Sequence, residues 1–283
     1  MTKILVNLGC GSRFHPDWLN FDVHPVSSSV IACNLIDGVP LSDASCDAVY
    51  SAALLEHLSP SQAESFIREC WRILKPEGIL RMGVPDLEQI VRIYLEKLEA
   101  AVAGDSNSGS DYDWILLEMF DQMVRTRPGG DMLTALRRNM VRERFVMERI
   151  GDEFRQLQAS MVAPTGVWAR LCKMSQRKVR HLITRSFFEF PNSVRRRISM
   201  LLLSKRDADA LRSGLFQHSG EVHRWMYDRY SLPRLLTRCG FRDATIQPYC
   251  LSRIDPNWPR FGLDTGEKQE PLKPDLFFVE SLK

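Results

Sequence analysis

The chain has 283 residues, 44% of them hydrophobic and 26% charged, which is enough to bury a large core and excludes a disordered or fibrous protein. Seven cysteines, an odd number without a CxxC pair, argue against a disulfide framework and a zinc site and point to a reducing cytoplasm. The net charge of +3 hides a division: residues 137–206 hold 17 Arg and Lys against 5 Asp and Glu, so that stretch carries +12 and the remainder −9. Solvated helix faces and a surface for an anionic partner both account for it.

Leu5-Val6-Asn7-Leu8 reads as part of a first strand over residues 4–8, followed by the glycine turn Gly9-Cys10-Gly11-Ser12 and a second strand over residues 19–23 that contains Asp22. The first strand opens almost at Met1, so no leader is expected, and no apolar run approaches the roughly 18 residues that span a bilayer. Asp22 lies 22 − 9 = 13 positions past Gly9, against roughly 20 in the dinucleotide fingerprint. The usual helix between the strands has little room, and the third glycine of that fingerprint is missing. A nucleoside carrying an amino acid fits this turn better than a dinucleotide does.

Val30-Ile31-Ala32-Cys33 reads as a third strand, residues 46–51 as a fourth, residues 63–74 as a helix stopped by Lys75-Pro76-Glu77-Gly78, and residues 79–85 as a fifth strand. Strands alternating with helices imply a parallel sheet covered on both faces, with ligands at the carboxyl ends of its strands. About 130 residues then break the pattern. Residues 87–103 read as a helix, 104–113 as a polar loop, 114–127 as a helix, 132 to about 160 as one long charged helix, and 167–215 as basic helices. Trp114, Met119, Phe120 and Met123 fall at helical spacing and read as core. The sheet pattern resumes with a helix over 231–241 and strands over 244–247 and 276–281.

Gly9-Cys10-Gly11 with Asp22, then Ser51-Ala52 and Leu54, Leu55-Glu56-His57-Leu58, and Arg72-Ile73-Leu74-Lys75-Pro76-Glu77-Gly78, resemble the S-adenosylmethionine (SAM) domain of class I methyltransferases of the type 11 kind. The resemblance implies an α/β fold: a Rossmann-like seven-stranded sheet closed by an antiparallel hairpin, with a large helical insertion between strands 5 and 6. It implies SAM as cofactor, with Gly9, Cys10, Gly11 and Ser12 beside its methionine part, Asp22 and Val23 at the ribose, Asn34 and Leu35 beside the adenine, and Ser51, Ala52 and Leu54 beneath it. Asn34 stands where the family often has Asp. Asp121 to Arg125 with Gly129-Gly130, and His223 to Leu232, resemble segments of bacterial methyltransferases associated with glycan assembly. We divide the chain into residues 1–87 and 221–283 as core and 88–220 as a partly basic helical cap.

A sulfonium methyl is already activated, so the protein has mainly to align an acceptor and exclude water. A hydroxyl acceptor must also lose its proton, and the candidate bases are His57, after the fourth strand, and His223, near Tyr227 and Asp228. A capping or packing role accounts for either histidine equally. No metal is expected: Glu56 and His57 diverge by about 100° on a helix, and no HxxxH or carboxylate cluster completes a ligand set. Cys10 reads as a small packed residue of the turn.

Three classes of function stay open. The first is O-methylation of a sugar, glycan precursor or related small metabolite, including an anionic or lipid-linked one attracted by the basic cap. The second is methylation of RNA, against which stands Ser51-Ala52-Ala53-Leu54-Leu55 in place of an Asp/Asn-Pro-Pro-aromatic motif. The third is a non-catalytic SAM-fold protein at a membrane surface, with Arg195 to Leu203 and Phe187, Phe188 and Phe190 as the amphipathic element.

Overall fold

Period-two alternation assigns the strand side chains to two faces. In β1 (Leu5–Leu8), Val6 and Leu8 join one apolar cluster and Leu5 another; in β4 (Cys46–Ala52), Val49 joins the first and Ala48 and Tyr50 the second. With β2 (Trp18–Asp22), β3 (Val30–Ala32), β5 (Leu74–Pro85), β6 (Arg242–Gln247) and β7 (Leu276–Leu282) these strands form one sheet in the order β3-β2-β1-β4-β5-β7-β6. β7 is antiparallel to both of its neighbours and strands 1 to 5 are mutually parallel. The seven-stranded Rossmann-like sheet and its closing hairpin are as expected. Residues 3–162 and 203–283 are described in this computed structural model.

The first face is covered by helices. α1 (Pro60–Ile73) starts at a capping box in which the Ser59 hydroxyl accepts from the Gln62 amide and the Gln62 side chain accepts from the Ser59 amide. It buries Ala63, Phe66, Ile67, Cys70 and Ile73 at helical spacing. Beside it lies α9 (Ser231–Arg238), which buries Leu232, Leu235 and Leu236 and is followed by Gly240 at φ 99°.

The second face differs from the expectation of helical cover. No helix links β1 to β2 or β2 to β3. Instead Ile254, Trp258, Phe261 and Leu263, from the segment between β6 and β7, pack on Leu5, Trp18, Ala48 and Tyr50. The short β1–β2 link is held by two buried amides: Asn7 donates to the Arg13 carbonyl at 3.0 Å and to Asn20 at 3.1 Å, and Asn20 donates to the His15 and Trp18 carbonyls. Arg81, on β5, fastens the covering segment. All its N–H groups are used, on Asp264, Glu280 and the carbonyls of Pro248, Tyr249 and Leu251.

The insertion follows β5 with α2 (Leu87–Val102), α3 (Ser106–Leu116) widening into a π turn (Leu117–Asp121) and a short α4 (Gln122–Val124), then α5 (Gly130–Arg137), α6 (Glu143–Ile150), α7 (Asp152–Val162) and α8 (Lys205–Gln217). Two sequence readings are corrected here. The polar stretch 104–113 is mostly helix, because Asp105 caps α3 by accepting from Asn107 and Ser108. The single helix over 132 to about 160 is three helices, interrupted where Asn139 (φ 50°) and Gly151 (φ 52°) turn left-handed. Gly151 is required twice over: a Cβ there would lie 2.6 Å from the Leu272 carbonyl oxygen.

Ile90, Trp114, Ile115, Met132, Leu136, Val146, Ile150 and Phe154 form a cluster of their own, with Met119 against it. Within it Arg149 grips Glu118, which also accepts from the Trp114 indole. Phe120, read as core, is 54% exposed, because the π turn rotates it off the apolar stripe. Most of the basic stretch, and the proposed amphipathic element except Leu203, lies outside the described residues.

Candidate active site

The chain runs from β1 through β2 to β3 on one side and returns through β4 on the other, so the carboxyl ends of β1 and β4 flank the switch point of the sheet. Gly9 and Cys10 there donate their amides to the Phe21 carbonyl at 2.9 and 3.1 Å, tying the turn to β2. Gly9 has φ 72°, and a Cβ on it would lie 2.9 Å from Leu54, so glycine is needed for conformation and for space. Gly11 has φ 52° and faces open space. Cys10 is buried, and burial pushes its thiol up to about 11, consistent with a packed residue and not a nucleophile.

Asp22 ends β2 beside this turn. Its carboxylate accepts from the Gly11 amide at 2.8 Å and the His24 amide at 2.7 Å, so it shapes the turn, and it lines neither of the two cavities that meet there. Val23 next to it is 56% exposed, an apolar surface open to a ring. The Asp22 carbonyl accepts from Cys33, which brings the loop holding Asn34 and Leu35 alongside. Asn34 is engaged in its own turn, donating to Asp37 at 2.7 Å. From β4 come Ser51, buried with its hydroxyl unpartnered, Ala52, and Leu54 over Gly9. Ser12 is exposed at the rim.

Ala53 is a residue the sequence did not single out. It holds φ 52°, a costly conformation for a residue with a side chain. That bend turns the chain out of β4 into the single 3-10 turn Leu55–His57, which carries Glu56 and His57.

His223 meets them there. Its amide donates to the Gln122 carbonyl, and the amides of Arg224 and Trp225 donate to the Glu56 carbonyl. The rings of His57 and His223 stand edge to face, 4.8 Å between centroids. His57 Nδ1 lies 3.3 Å from the Val222 carbonyl; a carbonyl only accepts, so Nδ1 carries the proton and Nε2 keeps its lone pair. Burial brings the His57 imidazole down to about 4 and lowers His223 well below the usual range, the neighbouring His57 adding to that effect. Both rings are therefore neutral at pH 7. Burial also pushes the Glu56 carboxyl up to about 7, and its Oε2 is buried without a hydrogen-bond partner among the described residues.

The motif around Asp121 and the double glycine has a structural role. Asp121 accepts from the Asp131 amide at 2.7 Å at the start of α5 and pairs with Arg125 at 3.2 Å. A Cβ on Gly130 would run into its carboxylate. This latch holds Gln122 where its carbonyl receives His223.

Two cavities meet at the turn. One of about 200 Å³ is lined by Gly9 to Arg13, Tyr50, Ala52 and Phe278. The other, of about 940 Å³, runs past Glu56, His57, Gln122, His223 and Asp275. Gly11, Ala53, Gln156 and Lys273 line both. Lys273 is a further residue the sequence did not mark. Burial lowers its pKa, but Glu153 at 3.6 Å, Asp275 and Glu56 outweigh that and raise it. Burial pushes Asp275 up to about 7. Neither residue carried a sequence signal, since only the fold brings residues 273–275 to this mouth.

Residues 6–82 match a family model described as a methyltransferase domain. A SAM-dependent methyltransferase from Archaeoglobus fulgidus is similar at 10% identity, over 99% of this chain and 86% of that one, with a TM-score of 0.38. One from Mesorhizobium loti is similar at 14% identity, over 99% and 91%, with a TM-score of 0.36. The putative methyltransferase crystallised with the Haloferax volcanii Trm112 activator is 21% identical over 32% of this chain and 48% of that one, at a TM-score of 0.26, so the match spans about half of that structure. No curated protein matches the chain.

Proposed function

With the class I SAM-dependent methyltransferase domain of residues 6–82 as premise, we propose that this chain transfers a methyl group to the hydroxyl of a sugar, glycan precursor or related small metabolite. The observation that carries the proposal is that the two cavities share a wall. Gly11, Ala53, Gln156 and Lys273 line both the cavity at the glycine turn and the one that holds Glu56, His57 and His223, so a methyl donor at the first and a hydroxyl at the second would lie side by side.

SAM, when bound, supplies a methyl carbon on a sulfonium that any aligned nucleophile can take. The turn fits it: open space over Gly11 suits the methionine part, and the acid at the end of β2 with the exposed Val23 beside it suits the ribose. Gly9, Cys10, Gly11 and Ser12 would hold the methionine part, Asp22 and Val23 the ribose, Asn34 and Leu35 the adenine edge, and Ser51, Ala52 and Leu54 the floor. The proton of the acceptor hydroxyl is taken in the Glu56, His57 and His223 group. A neutral imidazole can accept it, and the adjacent Glu56 carboxylate balances the charge that results. The described part of the insertion lines this cavity through Gln122, Arg125 and Leu133 and would help to exclude water.

Calorimetric titration with SAM and with S-adenosylhomocysteine tests the premise. Micromolar affinity, about −8 kcal/mol, is expected, and Asp22→Ala should weaken it by about 100-fold or more, since two hydrogen bonds to a charged acceptor are lost. Asp22→Asn, which keeps an oxygen for the Gly11 amide, separates ribose binding from turn geometry. Absence of binding by folded protein would overturn the premise. Transfer of labelled methyl to RNA and not to hydroxyl-bearing saccharides would overturn the acceptor class.

A further inference from the structure

Glu56, His57 and His223 each place one ligand atom within 4.8 Å of the other two. Two imidazoles and one carboxylate form a set that borderline divalent cations prefer, and three protein ligands leave positions open for a substrate oxygen. We propose that these three residues bind a single divalent cation of the Zn²⁺ or Fe²⁺ kind. The sequence reading expected no metal because the partner for Glu56 and His57 had to come from a position 166 residues beyond His57.

Three further observations support the site. Glu56 is 1% exposed and its Oε2 has no partner among the described residues; a buried carboxylate oxygen left unbonded is costly unless something is meant to occupy it. The Val222 carbonyl beside His57 Nδ1 is the outer partner that metal-bound histidines usually have, and it leaves Nε2 as the donor. The charges also fit: Lys273 in the same cavity is already answered by Glu153, which leaves the Glu56 carboxylate for the cation. Metal–ligand bonds of about 2.0–2.1 Å place tetrahedral ligands about 3.4 Å apart, so the side chains need to close by little more than about 1 Å, within reach of χ rotations.

The inference rests on the acceptor reading only for what the ion does. With the ion bound, an acceptor hydroxyl at an open position would be made more acidic, and the imidazoles, now ligands, would no longer serve as the base they are without it. Its proton passes to water, the oxygen–carbon bond forms as the carbon–sulfur bond of the sulfonium breaks, and S-adenosylhomocysteine leaves.

Binding is tested on the full chain, stripped with chelator and titrated with Co²⁺ by visible absorption and with Zn²⁺ by calorimetry. One equivalent is expected, with the d–d bands of a nitrogen and oxygen site and a rise in melting temperature that scales with metal concentration. Glu56→Gln and His57→Gln, each checked for an unchanged fold by circular dichroism, should lower the affinity at least about 30-fold, whereas His218→Gln should not. No binding at 1 mM metal, an intense thiolate charge-transfer band, or affinities unchanged in both variants would overturn the site. SAM affinity measured on the same chelated sample keeps the two failures apart: SAM without metal binding sinks this inference alone, and metal without SAM binding sinks the methyltransferase premise alone.

Discussion

Arg81 and Glu56 are both buried at 1% exposure or less, yet their surroundings follow opposite rules. Around Arg81 every donor is used, its two acids accept from Tyr50, Trp258, Ser252 and Arg253 as well, and the network ties the segment after β6 to the sheet. Around Glu56, the Oε2 of that residue, the Tyr227 hydroxyl and the Asp275 Oδ1 are all buried without partners among the described residues. A buried polar group left unbonded costs about 1–3 kcal/mol. The first region is built to hold the fold, and the second keeps unmet bonding capacity for something that enters the cavity.

The largest effect expected from this contrast is at Arg81. Arg81→Met removes the cation and leaves Asp264 and Glu280 buried without it, which should cost about 3–5 kcal/mol in urea unfolding. A loss below about 1 kcal/mol would mean that the two acids are held by their remaining donors and that the network is not what fastens the segment.

A change of pH should act on the second region. Asp275 has a folded pKa of about 7 against 3.8 for its ordinary value, through burial opposed by Lys273 and aided by Glu153 and Glu118. The folded state therefore holds the proton that the unfolded state has released between those values. This contribution is complete below about pH 4 and is lost as pH rises through about 7, an effect on the order of a few kcal/mol. His57 and His223, lowered by burial, act the other way, since their contribution grows as pH rises towards 6.5. Asp275→Asn should leave metal-free protein more stable than wild type at pH 8 and nearly equal at pH 4. Equal pH profiles of the two proteins would show that Asp275 is ionised in the fold and already balanced.

The contrast between the regions also marks where sequence reading stops. Gly9, Gly11 and Asp22 were legible because a glycine turn and the acid closing the next strand lie within 14 residues and depend on local backbone geometry. The strands were legible from alternation, and their order came only with the family resemblance. Asp105 was missed because Asp-Ser-Asn-Ser-Gly-Ser has the composition of a loop, although its first residue caps a helix. Gly151 could be seen in the sequence, but the carbonyl that forbids a side chain there belongs to Leu272. The pairing of His57 with His223 had no local signature, since it depends on Asp121 latching α5 and on Gln122 receiving the His223 amide.

The smallest expected effect separates the two regions most sharply. Tyr227 is 2% exposed and packs in the main core, while its hydroxyl, near enough to Glu56 for the carboxylate to help burial raise its pKa to about 12, has no partner among the described residues. Tyr227→Phe removes only that oxygen and keeps the ring. If the hydroxyl served the fold, the change would cost about 1 kcal/mol, as the loss of an ordinary hydrogen bond does. With no bond to lose, the variant should melt at the wild-type temperature or slightly above it, by an amount worth up to about 1 kcal/mol. Turnover then decides what the hydroxyl is for: a stable variant with reduced kcat and unchanged SAM affinity would put it on the acceptor side of the cavity, whereas a stable variant with full activity would leave it as an unmet group of the core.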